Sequence, residues 1–160
     1  MKPGNIRSLW LMALLLMVAG PALADTRGEL QALMADYAWL ADQRDAVAVG
    51  GLFDKEGRLE VPAIDGTFSG PDAVTDFFAA TWKPLNEARE QRRHVITNLR
   101  VLQKDRDRAS FTAYMTIFGS TPGTPPGLRM VGFYEALAIR SGGQWRFEVL
   151  RINIDNPPKR

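Results

Sequence analysis

The chain has 160 residues, 46% of them hydrophobic and 24% charged, with a single His, no Cys and a formal net charge of +2. That is the balance of one globular domain and not of a disordered chain. The absence of Cys excludes a disulfide scaffold and a thiolate metal site, and a lone imidazole excludes a multi-His site.

The first element in chain order is a targeting segment. Lys2 and Arg7 give a basic start, Leu9 to Ala19 is an unbroken apolar run, Gly20-Pro21 breaks it, and Ala22-Leu23-Ala24 has the small-x-small pattern of a cleavage site. The run is shorter than the roughly 20 residues of a spanning helix. Residues 1–24 therefore read as a secretion signal, residues 25–160 as the mature domain, and the expected location is periplasmic or secreted. Cleavage removes two basic residues and no acidic ones, so Lys+Arg falls from 20 to 18 against 18 Asp+Glu. The mature chain is formally neutral; neither a nucleic-acid partner nor stable membrane insertion is expected after cleavage.

Asp25 to about Val49 reads as one long amphipathic helix, with Leu30, Leu33, Met34, Tyr37, Leu40 and Ala41 on a shared face. Gly50-Gly51 ends it. Arg58 to Val61 is a brief strand stopped by Pro62, Asp65-Gly66 a hairpin signal, and Thr67-Phe68 the return. Gly70-Pro71-Asp72 opens a second helix, since Pro suits the first helical position and Asp complements the dipole; it buries Val74, Phe77 and Phe78, with Trp82 near its end at Lys83-Pro84. Strands are predicted at His94 to Leu102, Ala109 to Phe118, Leu128 to Ile139 and Trp145 to Ile154. The Gly119 to Gly127 loop between the second and third of these carries three Pro and is long enough for a lid. Helices first and antiparallel strands afterwards is an α+β pattern, with helices covering one face of a strongly curved sheet. Both alternating sets of several strands are apolar, so the other sheet face is expected to receive a second subunit in a homodimer.

His94 is the natural proton-transfer group, because imidazole alone has an unperturbed pKa near neutrality. Strand alternation places His94, Ile96, Asn98 and Arg100 on one face. A carboxylate that orients the ring would complete the pair. Asp42 and Asp45 both stand near the end of the first helix, and the helical wheel puts Asp45 closer to the apolar stripe. Tyr37 lies within that stripe, so its hydroxyl needs a partner and could donate to a substrate oxygen. Arg129 and Arg151, on the last two strands, could stabilise an oxyanion. Trp39, Phe53, Phe77, Phe78, Trp82, Phe118, Met130 and Phe133 supply the bulk to line a cavity for a small apolar molecule. The carboxylates lack the loop pattern of calcium sites, no Gly-rich phosphate loop follows a strand and no nucleophile elbow is present; no metal and no cofactor is expected.

The series Tyr37-Ala38-Trp39-Leu40-Ala41-Asp42-Gln43-Arg44-Asp45, Leu52-Phe53-Asp54, Phe68-Ser69-Gly70-Pro71 and Arg93-His94-Val95-Ile96-Thr97-Asn98-Leu99 resembles the SnoaL-like family of the nuclear transport factor 2-like superfamily. The resemblance spans Asp25 to Asp155. It implies a cone-shaped α+β fold, a curved antiparallel sheet with helices packed on its concave face and a deep pocket between them. The branch containing scytalone dehydratase and dehydrochlorinase uses an Asp-His pair, which the resemblance places at Asp42 and His94. Tyr37 resembles the first-helix Tyr that donates to an oxyanion in ketosteroid isomerases. The implied activity is a cofactor-independent lyase or isomerase, with Asn98, Arg151, Phe53, Trp82, Phe118 and Met130 as substrate contacts; the same superfamily also holds non-catalytic binding and dimerisation modules. Two departures stand out: the strand around Phe118 and Gly119 has no second His, and the isomerase-type general-base Asp is missing where the chain reads Leu59-Glu60-Val61-Pro62.

Overall fold

α1 (Thr26–Gln43) starts where the Asp25 carboxylate caps the helix by accepting from the Arg27 N–H at 3.2 Å. The computed structural model describes residues 25–155 and 157; the export signal read at residues 1–24 lies outside them. The long first helix expected from periodicity is in fact two. Arg44 adopts a left-handed conformation, φ 57°, with its N–H bonded back to Ala41 and Leu40 carbonyls, and Asp45 then caps a new short helix, α2 (Ala46–Gly50), through the Ala48 N–H at 2.9 Å. A carboxylate that caps a helix start satisfies N–H groups otherwise left unpaired, so the break at Arg44 is locally encoded.

β1 (Phe53–Val61), a one-turn 3₁₀ segment (Pro62–Ile64) and β2 (Gly66–Ser69) lead into α3 (Gly70–Glu87). α3 runs past Pro84, where the sequence predicted its end; Leu85, beyond the Pro, packs against the core and holds the last turn in place. Four long strands complete the chain: β3 (Gln91–Lys104), β4 (Arg108–Ser120), β5 (Gly127–Ser141) and β6 (Gln144–Ile154).

The six strands form one sheet in the order β2-β1-β6-β5-β4-β3. β3 to β6 are an antiparallel meander, but β1 lies parallel to β6, so the sheet is mixed and not antiparallel throughout. The reason is connectivity: α3 carries the chain across the sheet between β2 and β3, and the last strand returns beside the first. Irregularities in the β3–β4, β4–β5 and β5–β6 ladders increase the twist and curl the sheet around α1 and α3.

One of these irregularities redirects side chains at the site. β3 pairs Thr97 with Tyr114 and then Arg100 with Thr112, leaving one extra residue on β3, and Asn98 takes φ 55°. The inward set is Arg92, His94 and Ile96 before the bulge, and Leu99 and Val101 after it. Asn98 and Arg100 therefore leave the face that carries His94.

The core fills the concave side. Tyr37 is its hub, with edge-on contacts to Phe78, Tyr134 and Phe147 at centroid distances of 6.3, 5.5 and 6.2 Å. α1 is pinned at its other end by Glu29, which accepts from Trp145 Nε1 at 2.9 Å and Arg140 Nη2 at 2.5 Å. These two bonds, the Trp145 one foremost, hold the Glu29 carboxyl below its ordinary range.

Candidate active site

A chamber of about 320 Å³ opens between the concave face and the helices. Tyr37 and Ala41 come from α1, Phe77, Phe78 and Trp82 from α3, and His94, Met115, Met130, Tyr134 and Ile152 from the strands. Its lining is apolar except for a few groups. That is the form of a small-molecule site, in which apolar bulk gives affinity and a few polar groups set orientation.

Asp42, in the last turn of α1, closes the wall behind His94. Its Oδ1 lies 2.7 Å from His94 Nδ1, and its two oxygens stand 3.1 and 3.2 Å from the His94 backbone N, whose N–H they accept. Both side chains are 9% exposed. Nearby, Gln91 Nε2 donates to the Asp42 carbonyl at 3.0 Å, tying the start of β3 to the end of α1. An ionised carboxylate only accepts, so Nδ1 carries the proton in the neutral ring and Nε2 holds the lone pair. His94 lines the chamber and Asp42 does not, so the ring edge away from Asp42 is the one offered to a bound molecule. The same pair borders a shallow outer groove between α1 and β3, where Trp39 and Asn98 sit.

Tyr37 stands edge-on to His94 at 6.2 Å. Burial pushes its phenol well above the ordinary value of 10; the nearby Tyr134 hydroxyl pulls it part of the way back, and the Asp42 charge pushes it further up. Tyr134 is raised in the same direction, again chiefly by burial. Its hydroxyl is shielded from solvent and has that of Tyr37 as its polar neighbour. Two neutral phenols beside an imidazole are proton donors ready for an oxygen that gains negative charge.

Of the residues singled out from sequence, the structure brings His94, Tyr37, Phe77, Phe78, Trp82 and Met130 to the chamber, with Asp42 behind His94. The others stand elsewhere. Asn98 lines the outer groove because of the β3 bulge. Phe118 is 40% exposed on the opposite parity of β4 from Met115 and Ile117. Phe53 is buried against Phe147 in the core, at 5.2 Å between centroids. Arg151 is on the outer face, where its Nε and Nη2 donate to Glu60 Oε2 at 2.7 and 2.6 Å; Glu60 also takes Arg58. Asp45, which the wheel favoured, is the α2 cap. Tyr134, Arg44 and Arg92 line the chamber without having been proposed as site residues. Alternation in β5 could have found Tyr134, since it shares the parity of Met130. Among the described residues no three His, Asp or Glu side chains gather to hold a metal.

A SnoaL-like domain model matches residues 22–151. Among solved structures, a variant of Rv3472, a protein of unknown function from Mycobacterium tuberculosis, is 23% identical with a TM-score of 0.69, covering 80% of this chain and 70% of that one. ActVI-ORFA from Streptomyces coelicolor is 14% identical with a TM-score of 0.73, covering 81% and 94%. A candidate scytalone dehydratase from Novosphingobium aromaticivorans is 16% identical with a TM-score of 0.68, covering 81% and 83%. At these identities the likeness is one of fold, the nuclear transport factor 2-like, cystatin-like α+β architecture. No curated protein matches the chain in sequence.

Proposed function

We propose, on the premise that this chain belongs to the SnoaL-like domain family, that it is an exported, cofactor-independent lyase or isomerase acting on a small, largely apolar molecule. The observation that carries the reading is the Asp42–His94 contact of 2.7 Å placed with its free ring edge on an apolar chamber beside two neutral phenols. His94 Nε2 removes a proton from a carbon next to a carbonyl. The electron pair moves onto the carbonyl oxygen, which Tyr37 and Tyr134 stabilise by donating hydrogen bonds, while Asp42 stabilises the imidazolium. From the enolate, either a β-hydroxyl departs and takes the proton from His94 to leave as water, or, in a β,γ-unsaturated ketone, the proton returns at the γ carbon, two carbons further along, and the double bond has shifted into conjugation. A single imidazole suffices for both steps of either route.

The test is hydrogen exchange in heavy water on a panel of β-hydroxy ketones and β,γ-unsaturated ketones, followed by proton NMR. The wild-type protein is expected to exchange or convert at least one of them, and His94→Gln to be silent. Exchange that survives His94→Gln would refute the role of the imidazole. Ligands that bind without exchange in the wild type would leave a ligand-binding module of the cell envelope.

The same proposal includes a homodimer through the outer sheet face. Val95, Tyr114, Phe118, Leu128, Val131 and Leu137 are each at least 40% exposed there, an apolar surface a lone subunit would leave in water. Leu137→Glu is expected to convert a dimer to a monomer in light scattering behind size exclusion. A monomeric wild type would overturn this part of the reading and leave the chamber chemistry intact.

A further inference from the structure

The charged side chains that line the chamber are of one sign. Arg44 and Arg92 stand in its wall with His94, and among the described residues no carboxylate does. Arg92 is compensated, since its Nε donates to Glu90 Oε1 at 3.0 Å; the same oxygen takes Arg129 Nε at 3.2 Å. Arg44 is not. Its Nη1 donates to the neutral amide oxygen of Asn86 at 2.7 Å, and its Nη2 is shielded from solvent with no hydrogen-bond partner among the described residues. The neighbouring acids are engaged elsewhere: Asp42 by His94 and Asp45 by the Ala48 N–H. Arg44 forms no ion pair within the hydrogen-bonded and salt-bridged groups around it.

The backbone fixes this placement. Arg44 is the left-handed cap between α1 and α2, its N–H held by the carbonyls of Ala41 and Leu40, so the root of the guanidinium is set in the chamber wall. A shielded N–H left unpaired on a permanently charged group is costly, and the natural complement is an oxyanion. Among the described residues one uncompensated positive charge stands in the wall and its surroundings are apolar, so a singly charged carboxylate fits, whereas a phosphate dianion would leave its second charge unmatched.

We propose that the chamber takes an apolar carboxylic acid, its carboxylate on the Arg44 guanidinium and its body against Phe77, Phe78, Trp82 and Met130. Arg44 is then a specificity residue that fixes which end of the substrate enters first and which carbon reaches His94. As a statement of substrate class this rests on the proton-transfer reading; as a statement of what the chamber binds it does not.

The experiment is calorimetric titration of the protein with two isosteric pairs, trans-cinnamate against cinnamamide and 2-naphthoate against 2-naphthamide. A charge-assisted hydrogen bond in a shielded site predicts that at least one acid binds about tenfold or more tightly than its amide. Arg44→Met should abolish the difference while leaving the amide affinity unchanged, which itself reports an intact chamber. Should Arg44→Met lose both ligands, Arg44→Gln, which retains an amide donor for Asn86, is the variant to read. His94→Gln should keep the acid preference. Equal affinities in the wild type, no binding by either acid, or a preference that survives in the Arg44 variants would overturn the proposal. Acid preference without hydrogen exchange would sink the enzymatic reading and leave this one standing; exchange without acid preference would do the reverse.

Discussion

Asp42→Asn is expected to remove nearly all of the hydrogen exchange that depends on His94, a loss of about two to four orders of magnitude, while the protein stays folded. The carboxylate does two things at once. It accepts the backbone N–H of His94 at 3.1 and 3.2 Å, and it holds Nδ1 at 2.7 Å. An Asn has one acceptor and one donor in the same space. With its oxygen on the backbone N–H, its amide nitrogen faces Nδ1 and donates to it; the ring proton then moves to Nε2, the edge on the chamber, and the base is gone. With its oxygen on Nδ1, the amide nitrogen opposes the backbone N–H, a repulsion that the first arrangement avoids. The chain has one His, so nitrogen-15 labelling of histidine gives a single ring whose tautomer can be read without assignment. The wild-type ring should carry its proton on Nδ1 and the Asp42→Asn ring on Nε2. An unchanged tautomer together with unchanged exchange would show that Asp42 only ties β3 to α1.

The reach of sequence reasoning differs sharply between the elements and the site. The stripe from Leu30 to Ala41 places α1 and its buried face, and the parity of β4, with Phe111, Ala113, Met115 and Ile117 inward, is as the alternation predicts. Period and propensity are local properties, and they survive folding. The parallel β1–β6 pairing is not local; it depends on where the last strand returns after about 90 residues, and no neighbouring residue announces it. The site shows the same division. Extrapolating one continuous helix past residue 43 turned Asp45 toward the core, but a left-handed Arg44 ends the helix and makes Asp45 a cap, so Asp42 is the carboxylate that meets His94. Extrapolating one continuous strand past Thr97 kept Asn98 beside His94, but one extra residue reverses the parity. In both cases a single residue with positive φ defeats a periodic argument, because periodicity holds only while the backbone repeats. Phe118 is different: its own parity in β4 already pointed outward.

Arg44 combines both lessons. As a sequence position it is one of several charges in Asp42-Gln43-Arg44-Asp45 and gives no sign of facing a cavity. The same turn that ends α1 and sends Asp45 to α2 puts the intervening Arg44 in the chamber wall. The helix break thus sets three roles in four residues: Asp42 holds His94, Arg44 lines the chamber, and Asp45 starts the next helix.

The largest effect on stability is expected at Gly132, a position where the sheet's curvature and the chamber meet. A Cβ there would lie 2.0 Å from the Asn153 carbonyl oxygen and 3.2 Å from the Ile154 Cα. The obstacle is backbone and cannot rotate away, because Asn153 and Ile154 are paired across the β5–β6 ladder with Phe133 and Gly132. Relief requires drawing the two strands apart by about 1 Å, at the expense of ladder hydrogen bonds and of the packing beneath them. Gly132→Ala is therefore expected to destabilise by roughly 4 kcal/mol or more, in the range reserved for changes that a core cannot absorb. Gly142→Ala gives the contrast: its φ of +60° is unfavourable for Ala, but nothing lies within 4 Å, so the cost is about 1–2 kcal/mol. Urea unfolding midpoints of the two variants compare them directly, and equal midpoints would mean that β5 and β6 are free to separate at this point. Gly132 lies between Met130 and Tyr134 on the inward face of β5, and both of those line the chamber. Any Gly132→Ala protein that does fold should therefore bind 2-naphthoate more weakly than the wild type, because the strand movement that accommodates the methyl group displaces two walls of the site at once.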